Sequence, residues 1–303
     1  MTESIWGPLA EPPHPDAAGP DDPPWRDNAF FSLVDPTRRA GAVVHFSTSP
    51  NAPGTRARAS VAAEGRTGEL VEALEPGVMS SPSIKLDLDG GIVSVDSRDL
   101  SLELRYTPRF VIADYTKLEG FFTPLREDKE PLQHFQQGVD VTGWIEIEGH
   151  RTDVDGQGFR DRSWGFRDDQ RAGARPDDSK VTTEYIALGV CMEKCDLTLM
   201  KMLNAGGETN VGGFVITDTL RRVVNAELTR DAAGLLDALD VEIEDGEKVS
   251  LRTGPPRMGF WLPLGVPRKG PVLSAYDEIV SVDGGDHGVG GGIFEHGTVR
   301  RLC

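Results

Sequence analysis

The chain has little cysteine, little histidine and no long apolar run, and each shortage removes a class of protein. Only 3 of its 303 residues are cysteine and 6 are histidine. Cys191, Cys195 and Cys303 are an odd number without a framework spacing, as expected in a reducing compartment. No histidine or further cysteine lies near enough to Cys191 and Cys195 to complete a tetrahedral zinc set, so the two read as small apolar fillers. No apolar stretch approaches the roughly 18 residues that would span a bilayer, so no membrane insertion is expected. The start, MTESIWGPLAEPPHPD, lacks a basic or apolar leader pattern, which makes cytoplasm the expected location. Basic residues are also scarce: 32 Lys and Arg against 49 Asp and Glu leave a formal net charge of −17. That field repels nucleic acid at long range and excludes it as a partner.

Hydrolase, zinc-protease and calcium-loop motifs are missing as well. The Gly-rich tail GGDHGVGGGIFEHG has neither a GK[ST] ending nor GxGxxG spacing, and a strand-like segment follows it. It reads as close strand packing instead of a phosphate loop. Nothing in the residues calls for a nucleotide, flavin or metal.

What the chain does contain is alternation. Ile84, Leu86 and Leu88, then Val93 and Val95, then Leu100, Leu102, Leu104 and Tyr106 repeat at period two around an Asp89-Gly90-Gly91 turn. Similar runs are AVVHFSTS, GVDVTGWIEIEG, EYIALGVCM, DLTLMKML, GGFVITD and VEIEDGEKVSLRTG. The pattern predicts an all-β protein, sandwich or barrel, built of antiparallel meanders. Helical candidates are confined to Asp231–Leu239 and one turn in TPLREDKEPLQHF. Residues 1–24, rich in Pro, Asp and Ala, read as a disordered or extended arm. The clearest punctuation, Asp155 to Gly158, divides the rest into β domains at 25–155 and 156–303.

Charge concentrates in one place, GQGFRDRSWGFRDD from Gly156 to Asp169. As extended chain it sends Arg160, Arg162 and Trp164 to one face and Asp161, Ser163 and Gly165 to the other. Two readings stay open: an ion-pair network tying strands together, or a polar cluster lining an enclosed apolar pocket. Asp161, between two arginines, should be ionised and suits a base or an anchor for Arg167 better than a proton donor. Asp155 and Glu295, in less basic surroundings, are better placed to hold a proton. His134 is a candidate general base, and His296 beside Glu295 another, while His45 between Val44 and Phe46 reads as packing. Trp144 and Trp164 are candidate cavity walls, and either Tyr185 or Glu184 faces inward.

The run DGQGFRDRSWGFRD resembles the GxGxRDHSWGxR signature of the lipocalin-like superfamily that includes hydroxyneurosporene synthase, a carotenoid 1,2-hydratase, and the AttH-like proteins. HFQQGVDVTGWIEIEGHRTDVDG resembles the strand pair before that signature, and GVGGGIFEHG the closing strand, with Glu295 at the motif glutamate. The resemblance implies two lipocalin-like β domains and an apolar, terpenoid-like ligand. It further implies a cofactor-independent hydratase, dehydratase, isomerase or cyclase, for which the residues themselves offer Asp155, Glu295, Asp161 and His134 as candidates for the chemistry. Trp164, Arg160, Arg167, Tyr185 and Trp144 would hold the substrate, with no metal. The alternative is a carrier that binds a hydrophobic molecule without turnover, and a homo-oligomer is compatible with either. One departure matters: Arg162 stands where the signature has histidine, and arginine cannot shuttle a proton near neutral pH. That puts in question any mechanism resting on that histidine.

Overall fold

The computed structural model describes residues 4–122, 128–167, 182–204, 206–262 and 270–302. Among the described residues every regular element longer than one turn is a strand, and all pairings are antiparallel. The chain forms two compact units, one of Met1–Lys117 with Phe122–Arg167, the other of Leu118–Phe121 with Asp168–Cys303. Each is a lipocalin-like β barrel, the first nearly closed and the second closed.

In the first unit the strands are β1 (Trp25–Asp35), β2 (Ala40–Thr48), β3 (Arg56–Ala63), β4 (Arg66–Ala73), β5 (Ile84–Asp87), β6 (Ile92–Asp96), β7 (Leu100–Pro108), β8 (Ala113–Asp114), β9 (Gln133–Ile147) and β10 (His150–Phe166). They are ordered β4-β3-β2-β1-β10-β9-β7-β6-β5, with β8 on β9. The sheet curls until its ends meet: the Ser83 amide, just before β5, donates to the Glu72 carboxylate of β4 at 2.9 Å. Period-two alternation fills the inside with Phe31, Leu33, Val44, Phe46, Val61, Leu102, Leu104, Val139 and Val141. Strands β1 and β10 pack tightly because Gly158 has no side chain: a Cβ there would fall 2.0 Å from the Ser32 carbonyl oxygen.

The arm departs from expectation. Read from composition as disordered or extended, its described part enters the first barrel, where Trp6 and Leu9 are buried members of the core. Proline and aspartate set the composition, but two apolar residues and two arginines decide the outcome. The domain boundary also moves. The Asp155–Gly158 punctuation lies inside β10, and the first unit runs to Arg167, because those glycines serve close strand packing and not a linker.

In the second unit eight strands close in sequence order: β11 (Thr182–Met192), β12 (Asp196–Asn204), β13 (Thr209–Ile216), β14 (Leu220–Arg230), β15 (Leu236–Ile243), β16 (Lys248–Leu262), β17 (Gly270–Asp283) and β18 (Val289–Leu302). Leu188, Val190, Leu197, Leu199, Val241, Leu251, Val280 and Phe294 fill its core, and Cys195 joins them as a small apolar residue. The helix expected over Asp231–Leu239 is a turn closed by the Asp231 carboxylate on the Leu235 amide at 3.0 Å, followed by β15. Gly234, in the left-handed region at φ +85, makes that turn. Of the segment TPLREDKEPLQHF, expected to hold one helical turn, 123–127 lie outside the described residues, as does Cys303; 128–132 are non-helical and from Gln133 the chain is strand. Among the described residues no helix is long and apolar enough to cross a membrane.

Candidate active site

Strand β10 separates two kinds of chemistry by its pleat. Arg160 pairs across to Phe31 and Arg162 to Ala29, both core residues, so the arginines point inward with Trp164. Asp161 and Ser163 point to the outer face, as the alternation predicts.

The inward face is not an open pocket wall. Arg160 Nη2 donates to the carbonyls of Leu9 at 2.8 Å and Leu88 at 2.6 Å, and its guanidinium lies 4.2 Å from the Trp6 ring centroid. Arg162 donates to the Glu11 carbonyl at 3.0 Å, to the Pro12 carbonyl at 3.1 Å and to the Asp27 carboxylate at 2.8 Å. Asp27 also accepts from the Trp25 indole at 2.8 Å and the His14 amide at 3.1 Å. Burial alone would push the Asp27 carboxyl up, but the Arg162 guanidinium and these donors hold it below its ordinary value. Arg160 and Arg162 thus spend donors on the arm carbonyls of Leu9, Glu11 and Pro12. Trp164 packs against Phe135 at 5.3 Å and His14 at 5.4 Å.

The outer face carries a row of side chains set by strand register: Gln136 on β9, Asp161 on β10, Phe30 on β1, His45 on β2 and Arg58 on β3. Asp161 Oδ2 accepts from Gln136 Nε2 at 2.8 Å and from His134 Nε2 in a shorter contact. Burial pushes the Asp161 carboxyl up, yet the His134 imidazole, the Gln136 amide and His45 together bring it below its ordinary value, so it is ionised at neutral pH. An ionised carboxylate can only accept, which assigns the proton to His134 Nε2. His134 Nδ1 is buried and makes no hydrogen bond among the described residues. The ring stacks on Tyr115 at 4.9 Å and 16° and lies 5.7 Å from Phe122. His45, desolvated and near Arg56, is pushed down to about 3 although Asp161 opposes the shift, so it is neutral.

The other expected site residues lie apart from this pair. Asp155 is exposed on β10, and Arg167 is exposed. Asp161 takes His134 and Gln136 as partners instead of anchoring Arg167, because the pleat sets it on the outer face with β9. Trp144 lies on the surface under the Arg151 guanidinium at 4.3 Å. In the second unit, the Tyr185 hydroxyl donates to the Glu295 carboxylate, with the Tyr185 ring resting over Gly297, where a Cβ would fall 1.9 Å from it. Glu184 faces the other way and pairs with Arg230 at 3.2 Å. Arg230 also donates to His296 Nδ1 at 2.7 Å, and His296 Nε2 donates to the Glu278 carboxylate at 3.1 Å. Gln136, Tyr115 and Phe122 escaped sequence reasoning. Only the β9–β10 register brings Gln136 to Asp161, and an irregular segment delivers the two aromatics. Among the described residues no group of His, Cys, Asp and Glu is arranged as a metal site.

The fold and this pair define a two-unit lipocalin-like β protein with an aspartate-oriented histidine. The chain belongs to the family described as a domain of unknown function, DUF7064, whose profile matches residues 8–300. No curated protein matches the sequence. Among solved structures, an AttH candidate from Nitrosomonas europaea is 14% identical with TM-score 0.57, over 92% of this chain and 93% of that one. CghA with Sch210972 is 12% identical with TM-score 0.56, over 99% and 98%. Kievitone hydratase from Nectria haematococca is 12% identical with TM-score 0.54, over 98% and 95%. These similarities extend along nearly the whole chain and establish the shared fold.

Proposed function

We propose that the protein is a cofactor-independent enzyme of the hydratase or dehydratase type, or a related isomerase or cyclase, acting on an apolar, unsaturated, terpenoid-like small molecule. The observation that carries this reading is the buried Nδ1 of His134, unpartnered among the described residues, on a ring whose Nε2 proton is held by an ionised Asp161. Such an imidazole presents a directed lone pair to a proton on carbon or on water. Once protonated there, it becomes an acid stabilised by the adjacent carboxylate. Tyr115 and Phe122 make the surroundings of the ring apolar, which suits an apolar substrate and strengthens the Asp161–His134 attraction. The structurally similar hydratase and the signature's resemblance to hydroxyneurosporene synthase support the reaction class.

His134 thus supplies, on the opposite face of β10, an imidazole that Arg162 cannot. The carrier reading has less support, since the interior of the first barrel holds Trp6 and Leu9 of the chain itself. Incubation with a panel of terpenoid, steroid-like and polyketide alkenes and alcohols in isotopically labelled water tests the proposal. Label uptake by the wild type that is lost in His134→Phe supports it. Ligand-induced tryptophan quenching with no label uptake on any panel member would replace it with the carrier.

A further inference from the structure

The arginine whose inward face clamps the arm keeps part of its hydrogen-bonding capacity unused. Arg160 is 0% exposed. Among the described residues the carboxylates whose charge reaches it, Asp87 and Asp89, are solvent-exposed and form no hydrogen bond with it, and the Arg162 cation adds like charge. Nη2 spends its hydrogens on the Leu9 and Leu88 carbonyls, while Nε and Nη1 are buried without an acceptor among the described residues. The Tyr106 hydroxyl is also buried and unpartnered among the described residues. The two groups flank one ring: Arg160 lies 5.4 Å from the Phe31 centroid and the Tyr106 ring 5.1 Å from it. They also feel each other's charge. Burial pushes the Tyr106 phenol up and the Arg160 field opposes that shift, while burial draws Arg160 down to about 9, leaving it a cation at neutral pH.

Buried polar atoms in native proteins almost always find partners, and a buried cation without a counter-charge is costly. Here every unpartnered atom of the pair can donate. A donor-only set is complemented by an acceptor, and a buried cation whose nearby carboxylates, Asp87 and Asp89, sit in solvent is complemented by one negative charge. The Trp6 and Phe31 faces attract the guanidinium but neutralise nothing. We propose that Arg160 Nε and Nη1 and the Tyr106 hydroxyl form an internal site for a small monovalent anion, a halide or the carboxylate of a short acid, beneath the N-terminal arm. A divalent anion would leave excess charge among Trp6, Phe31 and Leu9, and a bulky one would displace them. The site lies on the opposite face of β10 from Asp161, so it is independent of the proposed chemistry.

Thermal unfolding of the full chain at fixed ionic strength, in sodium chloride, bromide, formate or gluconate, tests the site. A saturable rise in Tm over gluconate is expected, since a ligand that binds only the folded state stabilises it by mass action. Halides acting alone identify a halide site, and formate acting alone a carboxylate site. Tyr106→Phe keeps the ring and removes one donor, and should weaken the anion about tenfold, as for a hydrogen bond to a charged group. Bromide-soaked crystals should show an anomalous peak within hydrogen-bond distance of Arg160. Tm values indistinguishable from gluconate together with no such peak would overturn the proposal. So would saturable stabilisation that Tyr106→Phe leaves unchanged, which would place the anion elsewhere.

Discussion

His134 directs Nε2 at the Asp161 carboxylate while its ring lies stacked on Tyr115. Partners on both sides fix the ring's orientation and its tautomer, leaving one nitrogen for chemistry. His134→Phe should keep the stacking and the fold but lose about 10²- to 10⁴-fold in kcat, the range for a missing general base. Asp161→Asn should lower kcat in the same direction, because an amide can donate to Nε2 and so favour the wrong tautomer. Single-turnover rates with circular dichroism of each variant check this. Full activity in His134→Phe would remove the dyad from the mechanism.

His45 gives a pH dependence of stability with a definite sign. Its value in the folded chain is drawn down to about 3 by burial and by Arg56, against about 6.5 when unfolded. Between those values the unfolded chain binds the extra proton, so stability rises with pH. The slope is at most about 1.4 kcal/mol per pH unit, and less for a ring that is half-buried. The loss therefore begins as pH falls below about 6.5. Asp161, also drawn down, adds stability that is present above about pH 4 and lost as pH falls through its folded value. Urea midpoints of wild type and His45→Gln between pH 4 and 7 should converge at the alkaline end and diverge toward acid. Parallel curves would mean His45 is solvated.

Much of this architecture is legible in the chain. Period-two alternation announces an all-β protein, and the pleat of GQGFRDRSWGFRDD correctly divides Arg160, Arg162 and Trp164 from Asp161 and Ser163. Alternation cannot say which face is inside, and an arginine pair suggests solvent or a ligand more readily than the carbonyls of an arm. Those carbonyls are set by tertiary packing of Trp6 and Leu9, which a Pro- and Asp-rich composition conceals. The same limit holds for His134, whose meaning depends on the β9–β10 register. Asp231–Leu239 fails for a local reason: its side-chain turn competes with helix, and Leu236, Leu239 and Val241 are drawn into a core.

Gly158 should tolerate no side chain. A Cβ would meet the Ser32 carbonyl oxygen at 2.0 Å and carbon at 2.7 Å, both backbone atoms fixed in the β1–β10 ladder. Gly158→Ala is expected to cost about 1–3 kcal/mol or more through strand displacement. Thermal denaturation reads it directly, and an unchanged Tm would show the strands free to separate.

The buried ion pair that matters for stability is Arg162 with Asp27, not any pair involving Asp161. Both side chains are essentially inaccessible, at 1% and 0% exposure, and the same guanidinium also binds the Glu11 and Pro12 carbonyls of the arm. Asp27→Asn removes the charge and leaves the guanidinium buried without a counter-ion, at a cost of about 3–5 kcal/mol. Arg162→His, which restores the residue of the signature, shortens the reach to the arm. Asp161→Asn leaves both arginines with their inward partners, so its effect on Tm should be smaller than either. Limited proteolysis separates two ways in which the clamp can fail. If Arg162 holds the arm, Arg162→His should speed cleavage between Glu11 and Trp25 while β-sheet dichroism persists. Equal cleavage rates would mean that Trp6 and Leu9 anchor the arm without the arginine.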